Sequence, residues 1–297
     1  MTDVIAPRAE DPSEDPLDLF DTSLSLIFQV PPIAFSSSST GTYTYTPPPS
    51  SALSRPIVLT LPSPPADLYS TLQANHVWLS GVYLADQISL GGIKVGNQRV
   101  AELGAGAGLP GIVACLSGAE VVSSDWDTPD VLGAIEQNFG RACEEGRWAV
   151  VGHTWGTDVS PLLNALRTGK GEKFGMLLLA DTLWMTDAHA VLIDSVSALL
   201  KPGGVAHIAA GLHTGRGPVE RFRAAATERG GVLSPLKAVK WCTGGGWEDY
   251  HSPSDGLEEE RGVVVYFTLH LKGLYIAPPK GPILASLPLP SPLLNPR

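Results

Sequence analysis

The sequence predicts an α/β fold: a doubly wound sheet of seven strands, mostly parallel, with an antiparallel last strand. Three observations predict it. Short apolar runs alternate with helical patterns from residue 57 to residue 271, and strands joined through helices by short connections run parallel under helices on both faces. A glycine-rich turn leads from the first core strand into its helix, as in Rossmann-like sheets, where that turn lies at the ligand-binding end. The last two strands, 236–242 and 263–271, have no helix between them, which permits an antiparallel ending.

The elements follow in order. Residues 57–61 read as a short strand and 68–87 as a helix, with Leu68, Leu72, Leu79 and Tyr83 on one face. Residues 99–103 are a buried strand; the helix over 109–116 carries Pro110 where a first turn tolerates it. Strand 120–124 precedes helix 129–139, and strands 149–153 and 175–180 follow, the latter (GMLLLA) apolar throughout. A helix over 187–200 stops at Lys201-Pro202-Gly203-Gly204, and strand 205–210 precedes helix 219–229.

This domain is expected over 56–272. Residues 1–55 read as a flexible extension: 1–20 hold six acids and one base, and 36–54 are low-complexity Ser, Thr and Pro. Within the acidic lead, Pro16 to Phe20 reads as a short docking patch. Residues 273–297, with seven prolines and no acid, read as an extended tail.

Charge and cysteine usage exclude several classes. A net charge of −10 does not suit a nucleic-acid backbone and suits a basic partner. Three cysteines without a C-x-x-C spacing argue against a disulfide framework or a zinc knuckle, and the seven histidines show no metal spacing. The chain has no run of eighteen apolar residues, and its start carries acid where a secretory signal needs base. A cytoplasmic monomer without a membrane segment is expected.

The strongest signal is Glu102-Leu103-Gly104-Ala105-Gly106-Ala107-Gly108-Leu109-Pro110-Gly111. Residues 106–111 fit the dinucleotide pattern G-x-G-x-x-G. The alternating glycines behind an acid fit a cationic sulfonium cofactor better, because a carboxylate attracts that charge and repels a pyrophosphate. Asp125 stands 21 residues after Gly104, at the second strand's tip. An acid there bonds ribose hydroxyls, which both cofactor classes carry. Trp126 and Trp155 are candidate walls for an adenine ring.

These residues give the chain its resemblance to the seven-β-strand methyltransferases that use S-adenosylmethionine (SAM), within them methyltransferase family 16. The resemblance extends to His76–Ala85 with Trp78, to Asp125-Trp126, to Trp155, and to Ala180-Asp181-Thr182-Leu183-Trp184. The chain most resembles the fungal group first called nicotinamide N-methyltransferase-like and later assigned to elongation factor 1-alpha, where it modifies the N-terminal amine and a lysine. The resemblance implies that Trp78, Gly104, Ala105, Gly106, Trp155 and Ala180 line the SAM site, with Glu102 near its ammonium and Asp125 on its ribose. It implies that Asp181 orients the acceptor amine and that Trp184 walls it. The family often has Tyr where Trp184 stands, so a phenolic oxygen is absent here.

The implied activity is in-line methyl transfer to a protein amine. The alternatives are a small-molecule N-methyltransferase and a silent SAM-binding module. An NAD oxidoreductase is opposed by the absence of a Tyr followed four positions later by Lys, and nucleobase methylation by the absence of an Asn-Pro-Pro-Tyr or Asp-Pro-Pro-Tyr run after the fourth strand.

Overall fold

The computed structural model describes residues 34–35, 41–63, 73–242, 245–251, 260 and 262–271. The acidic lead, its docking patch, the Pro-rich tail, and Leu68 and Leu72 lie outside them.

Four short strands come first: β1 (Ala34–Phe35), β2 (Thr42–Tyr45), β3 (Ile57–Thr60) and β4 (His76–Val77). They form two antiparallel ribbons, β1 with β4 and β2 with β3. The expected loop over 36–54 is therefore partly strand, and the ribbon of β2 and β3 straddles the expected boundary at residue 56. The alternation Thr-Tyr-Thr-Tyr explains this: a β-branched, aromatic stretch with a period of two suits a strand whatever its low complexity. Tyr45 is buried, and its hydroxyl donates to Asp86 Oδ1 at 2.7 Å.

Of the helix expected over 68–87, residues 79–87 belong to α1 (Leu79–Ser89), residues 73–78 are not helical, and residues 68–72 lie outside the described residues. Strand β5 (Arg99–Leu103) then leads into α2 (Leu109–Leu116), β6 (Glu120–Asp125) into α3 (Pro129–Ala142), and β7 (Trp148–Gly152) into the short α4 (Ser160–Asn164). Strand β8 (Phe174–Ala180) precedes α5 (His189–Leu199), and β9 (Leu200–Gly211) precedes α6 (Gly217–Glu228). The chain closes with β10 (Gly231–Leu233), β11 (Lys237–Trp241), β12 (Trp247–Asp249) and β13 (Val263–Leu271).

The main sheet runs in the order β12-β11-β13-β9-β8-β5-β6-β7, and β10 also pairs with β13. The seven expected strands are all in it. Strands β5 to β9 run parallel, while β13 lies antiparallel to β9, β10 and β11. The pair β10 and β12 was not foreseen; each is three residues long, too short for a period of two to stand out. The helix stops ahead of Lys201 as expected, at Leu199, but strand β9 already starts at Leu200 rather than at residue 205, and the β8–β9 register slips across Lys201 to Gly204.

Two cores flank the sheet. Val100 faces one, with α1, α2 and α3; Ala101 and Leu103 face the other, with α5 and α6. Alternation along one strand thus feeds both faces. The α3 helix shows how its sequence sets its face: Val131, Ala134, Ile135 and Phe139 are buried, at spacings of three, one and four. Asp130 in its first turn and Arg141 in its last suit the helix dipole.

Strand β5 has β6 on one side and β8 on the other. The chain reverses direction across the sheet there, which opens a crevice at the strands' carboxyl ends.

Candidate active site

That crevice is a cavity of about 390 Å³, within the range of small-molecule sites. The tips of four strands build it: Gly104 to Ala107 after β5, Asp125 and Trp126 from β6, His153 to Trp155 after β7, and Ala180 to Thr182 from β8. Trp78, ahead of α1, and Trp184 complete the walls. Nine of the ten residues expected at the site therefore meet here: Trp78, Gly104, Ala105, Gly106, Asp125, Trp155, Ala180, Asp181 and Trp184.

Glu102 is the exception. It is 1% exposed and does not line the cavity. Its Oε1 accepts from the Gly111 N–H at 3.0 Å, and its Oε2 accepts from the Ser123 hydroxyl at 2.6 Å. A Cβ at Gly111 would fall 2.4 Å from Glu102 Oε2, so glycine there is what lets α2 close over the carboxylate. Burial pushes this carboxyl up to about 7, against the lowering effect of its two hydrogen bonds. Glu102 thus splints the turn from beneath, and its charge is not presented to a cofactor's ammonium. Strand alternation carried the correction: Glu102 lies between Ala101 and Leu103, which face the α5–α6 core, and so it points toward α2 on the other face.

The turn itself is held by its neighbours. Gly104, Gly106 and Gly108 all have φ between 54° and 80°, conformations that cost an L side chain energy. The Gly106 N–H donates to Asp125 Oδ2 and the Trp126 N–H to Oδ1, each at 2.7 Å. Burial raises the Asp125 carboxyl above the usual range while these bonds oppose it. Each oxygen retains a lone pair for a hydroxyl. A Cβ at Gly104 would stand 3.2 Å from Trp155 Cζ2 and 2.9 Å from Thr182 Cγ2, so the backbone passes directly beneath that ring. Trp126, 45% exposed, stands at the cavity's rim.

Asp181 is built differently. It follows the last residue of β8 with φ 56°, a left-handed conformation that Asp tolerates better than most residues. It is 8% exposed. Its Oδ1 accepts from His213 Nε2 at 2.9 Å and from the Gly211 N–H at 3.3 Å. Among the described residues its Oδ2 has no partner and is buried, and so is the adjacent Thr182 Oγ. His213 also stacks on Trp78, with ring centroids 4.5 Å apart and planes 22° apart. Neither Thr182 nor His213 was singled out from the sequence. Thr182 lies inside the quoted motif and was legible; His213 comes from the far end of β9, and no local spacing marks it.

The fit to a sulfonium nucleoside is good. Tryptophan faces wall the cavity, a turn with no Cβ at Gly104 and Gly106 admits close approach, and a carboxylate stands where ribose hydroxyls are expected.

Comparison with known proteins agrees. A family model described as lysine methyltransferase matches residues 69–216. The chain is similar to the protein N-terminal and lysine N-methyltransferase efm7 of Schizosaccharomyces pombe, 31% identical over 173 residues, covering 55% of this chain and 67% of that one. It is also similar to the protein of the same description from Gibberella zeae, at 33% identity, covering 52% of this chain and 63% of that one. The Neurospora crassa protein of that description is 35% identical, over 47% of this chain and 54% of its own length. The chain thus spans between about half and two thirds of these curated relatives. Among solved structures, the glycopeptide N-methyltransferase MtfA complexed with sinefungin is 14% identical with a TM-score of 0.45, covering 63% of this chain and 94% of that one, a likeness too loose to speak to the site.

Proposed function

The chain belongs to the lysine methyltransferase family, whose methyl donor is SAM, and from that premise we propose that it methylates a protein amine: a lysine, an N-terminal amine, or both. The observation that carries this reading is that Asp181, a residue lining the cavity beside the glycine turn, keeps one buried carboxylate oxygen, Oδ2, without a partner among the described residues. A buried carboxylate oxygen without a donor costs stability, and an ammonium or amine N–H is the donor that this chemistry brings.

When bound, SAM supplies an electrophilic methyl group, and transfer breaks its carbon–sulfur bond with the electron pair passing to sulfur. The chain's residues do the rest. Trp78, Trp155 and the turn at Gly104 to Gly106 would hold the donor, and Asp125 would accept from its ribose. Asp181 Oδ2 takes one N–H of the acceptor and so aims the nitrogen lone pair, which must come within about 3–3.5 Å of the methyl carbon. Trp184 offers a ring face to the cationic amine. Water receives the proton that the ammonium sheds before attack. The apolar walls favour that loss by disfavouring the charged form.

The acceptor we propose is a basic protein, with elongation factor 1-alpha the first candidate; the net charge of −10 favours a basic partner. A monomer in the cytoplasm suits this reading. All three cysteines are free, as a reducing compartment requires, and among the described residues no helix is long and apolar enough to cross a membrane. The test is incubation of the protein, tritiated SAM and purified elongation factor 1-alpha. Label in the factor, located by mass spectrometry on its N-terminal residue or an adjacent lysine, is the expected result. SAM binding with no label in that factor, but with label in nicotinamide or another small amine, would overturn the protein acceptor.

A further inference from the structure

We propose that His213 is a positioning residue for the acceptor amine, acting through Asp181. The proposal rests on the amine-methylation reading above and extends it to a side chain outside the cavity.

The geometry is asymmetric in an informative way. Asp181 lines the cavity; His213 does not, and sits behind it, 6% exposed. Both donors that reach the Asp181 carboxylate, His213 Nε2 and the Gly211 N–H, converge on Oδ1. Among the described residues nothing reaches Oδ2. A carboxylate on a single-bonded side chain turns about χ2 with little resistance. With both donors on one oxygen, that rotation is blocked, and the other oxygen is left as the open acceptor of a residue that lines the cavity. His213 is itself held, because its ring stacks on Trp78. A Cβ at Gly211 would stand 3.0 Å from His213 Cδ2 and 3.6 Å from Asp181 Oδ2, so glycine there lets the three groups close up. The chain also keeps Asp181 in a left-handed backbone, and strain of that kind persists where surrounding contacts over-determine it.

A chain of contact therefore runs from a cavity wall to the amine's acceptor: Trp78 to His213 by stacking, His213 to Asp181 by hydrogen bond, Asp181 Oδ2 to the incoming nitrogen. The wall that borders the cofactor space thus shares a support with the group that aims the amine.

Two substitutions separate the links. His213→Phe keeps an aromatic ring for Trp78 and removes the donor. His213→Gln keeps an N–H donor and removes the ring. With the full chain saturated in S-adenosylhomocysteine, butylammonium serves as the amine probe and calorimetry reads its affinity. The expected result is that His213→Phe weakens butylammonium binding by about tenfold with S-adenosylhomocysteine affinity unchanged, and that His213→Gln, which takes the stacked ring from Trp78, lowers S-adenosylhomocysteine affinity but, at saturation, binds butylammonium within about threefold of the unmodified protein. Should His213→Phe not fold, the side-chain nitrogen resonances of His213 in the unmodified protein give the same answer: butylammonium shifts Nε2 if Asp181 links them. Equal butylammonium binding by His213→Phe and the unmodified protein, no binding by the unmodified protein, or an unmoved Nε2 resonance would each overturn the proposal. Failure of S-adenosylhomocysteine itself to bind would overturn the cofactor reading, and the proposal with it.

Discussion

Two of the loops that border the cavity, those after β5 and β8, are organised around acidic side chains. Around the turn after β5, every side-chain oxygen of Glu102 and Asp125 already accepts a hydrogen bond, from the turn, from α2, from β6 or from Trp126 just past it. In the loop after β8, Asp181 has one oxygen satisfied twice and the other not at all, with Thr182 Oγ unpartnered beside it. The first loop is closed on itself and holds a shape. The second is open at two atoms, and a carboxylate oxygen left open inside a protein marks where a ligand's hydrogen is expected. Acidity in a sequence motif does not distinguish these roles; the direction of each hydrogen bond does.

That contrast breaks most sharply at Asp181. Asp181→Asn tolerates the left-handed backbone and retains a carbonyl oxygen for His213 and Gly211, but turns an N–H donor toward the amine. Turnover should fall by about 100- to 1,000-fold, with melting temperature and S-adenosylhomocysteine affinity near those of the unmodified chain. Retention of more than a third of the rate would place Asp181 among the scaffold residues instead.

Gly111→Ala strikes the closed loop. The added Cβ meets Glu102 Oε2 at 2.4 Å and Phe139 Cζ at 3.0 Å. A loss of about 1–3 kcal/mol is expected in urea unfolding, together with weaker cofactor binding. A variant as stable as its parent would mean that the carboxylate moves aside freely.

Glu102 gives the closed loop a pH signature. Its carboxyl is raised from 4.5 to about 7 in the folded chain, so the folded form holds the proton that the unfolded form has released. The resulting stability is fully present below the unfolded value and is lost as pH rises through the folded one. From about pH 5 to about pH 8, the unmodified protein should lose stability relative to Glu102→Gln, whose amide keeps an acceptor for Gly111 and a donor for Ser123. Parallel stability curves for the two proteins would show that Glu102 does not titrate in that window.

The smallest effect is expected away from both loops. Tyr45→Phe removes the hydroxyl that meets Asp86 Oδ1, while Trp247 Nε1 still donates to Oδ2 at 2.8 Å. A loss of about 0.5–1.5 kcal/mol in unfolding free energy should follow, with turnover unchanged. A larger rate defect would tie this ribbon to the chemistry.

The sheet was legible because its signals are local: apolar runs, a glycine turn, and a polar stretch where a helix was missing. The cavity residues were legible for a related reason, since each sits at a strand tip that those runs define. What escaped depends on distance or direction. His213 meets Asp181 from 32 residues away. The strand β2 hides in Thr-Tyr repeats that composition alone assigns to a loop. Glu102 was found but misassigned, because a motif records that an acid is present and not which side of the strand it occupies.

Asn138 gives that first ribbon a further meaning. From the middle of α3 its side chain accepts from the Thr60 N–H at 2.7 Å and donates to the carbonyls of Thr60 and Ala107, at 2.8 and 2.9 Å. A single amide therefore rivets the end of β3 to the glycine bend. A shortened version of this polypeptide that begins at residue 56 would keep the rivet but lose β2, the strand that steadies β3. Its grip on the methyl donor would slacken for reasons of carpentry, and an assay on that fragment would misjudge the chemistry of the whole.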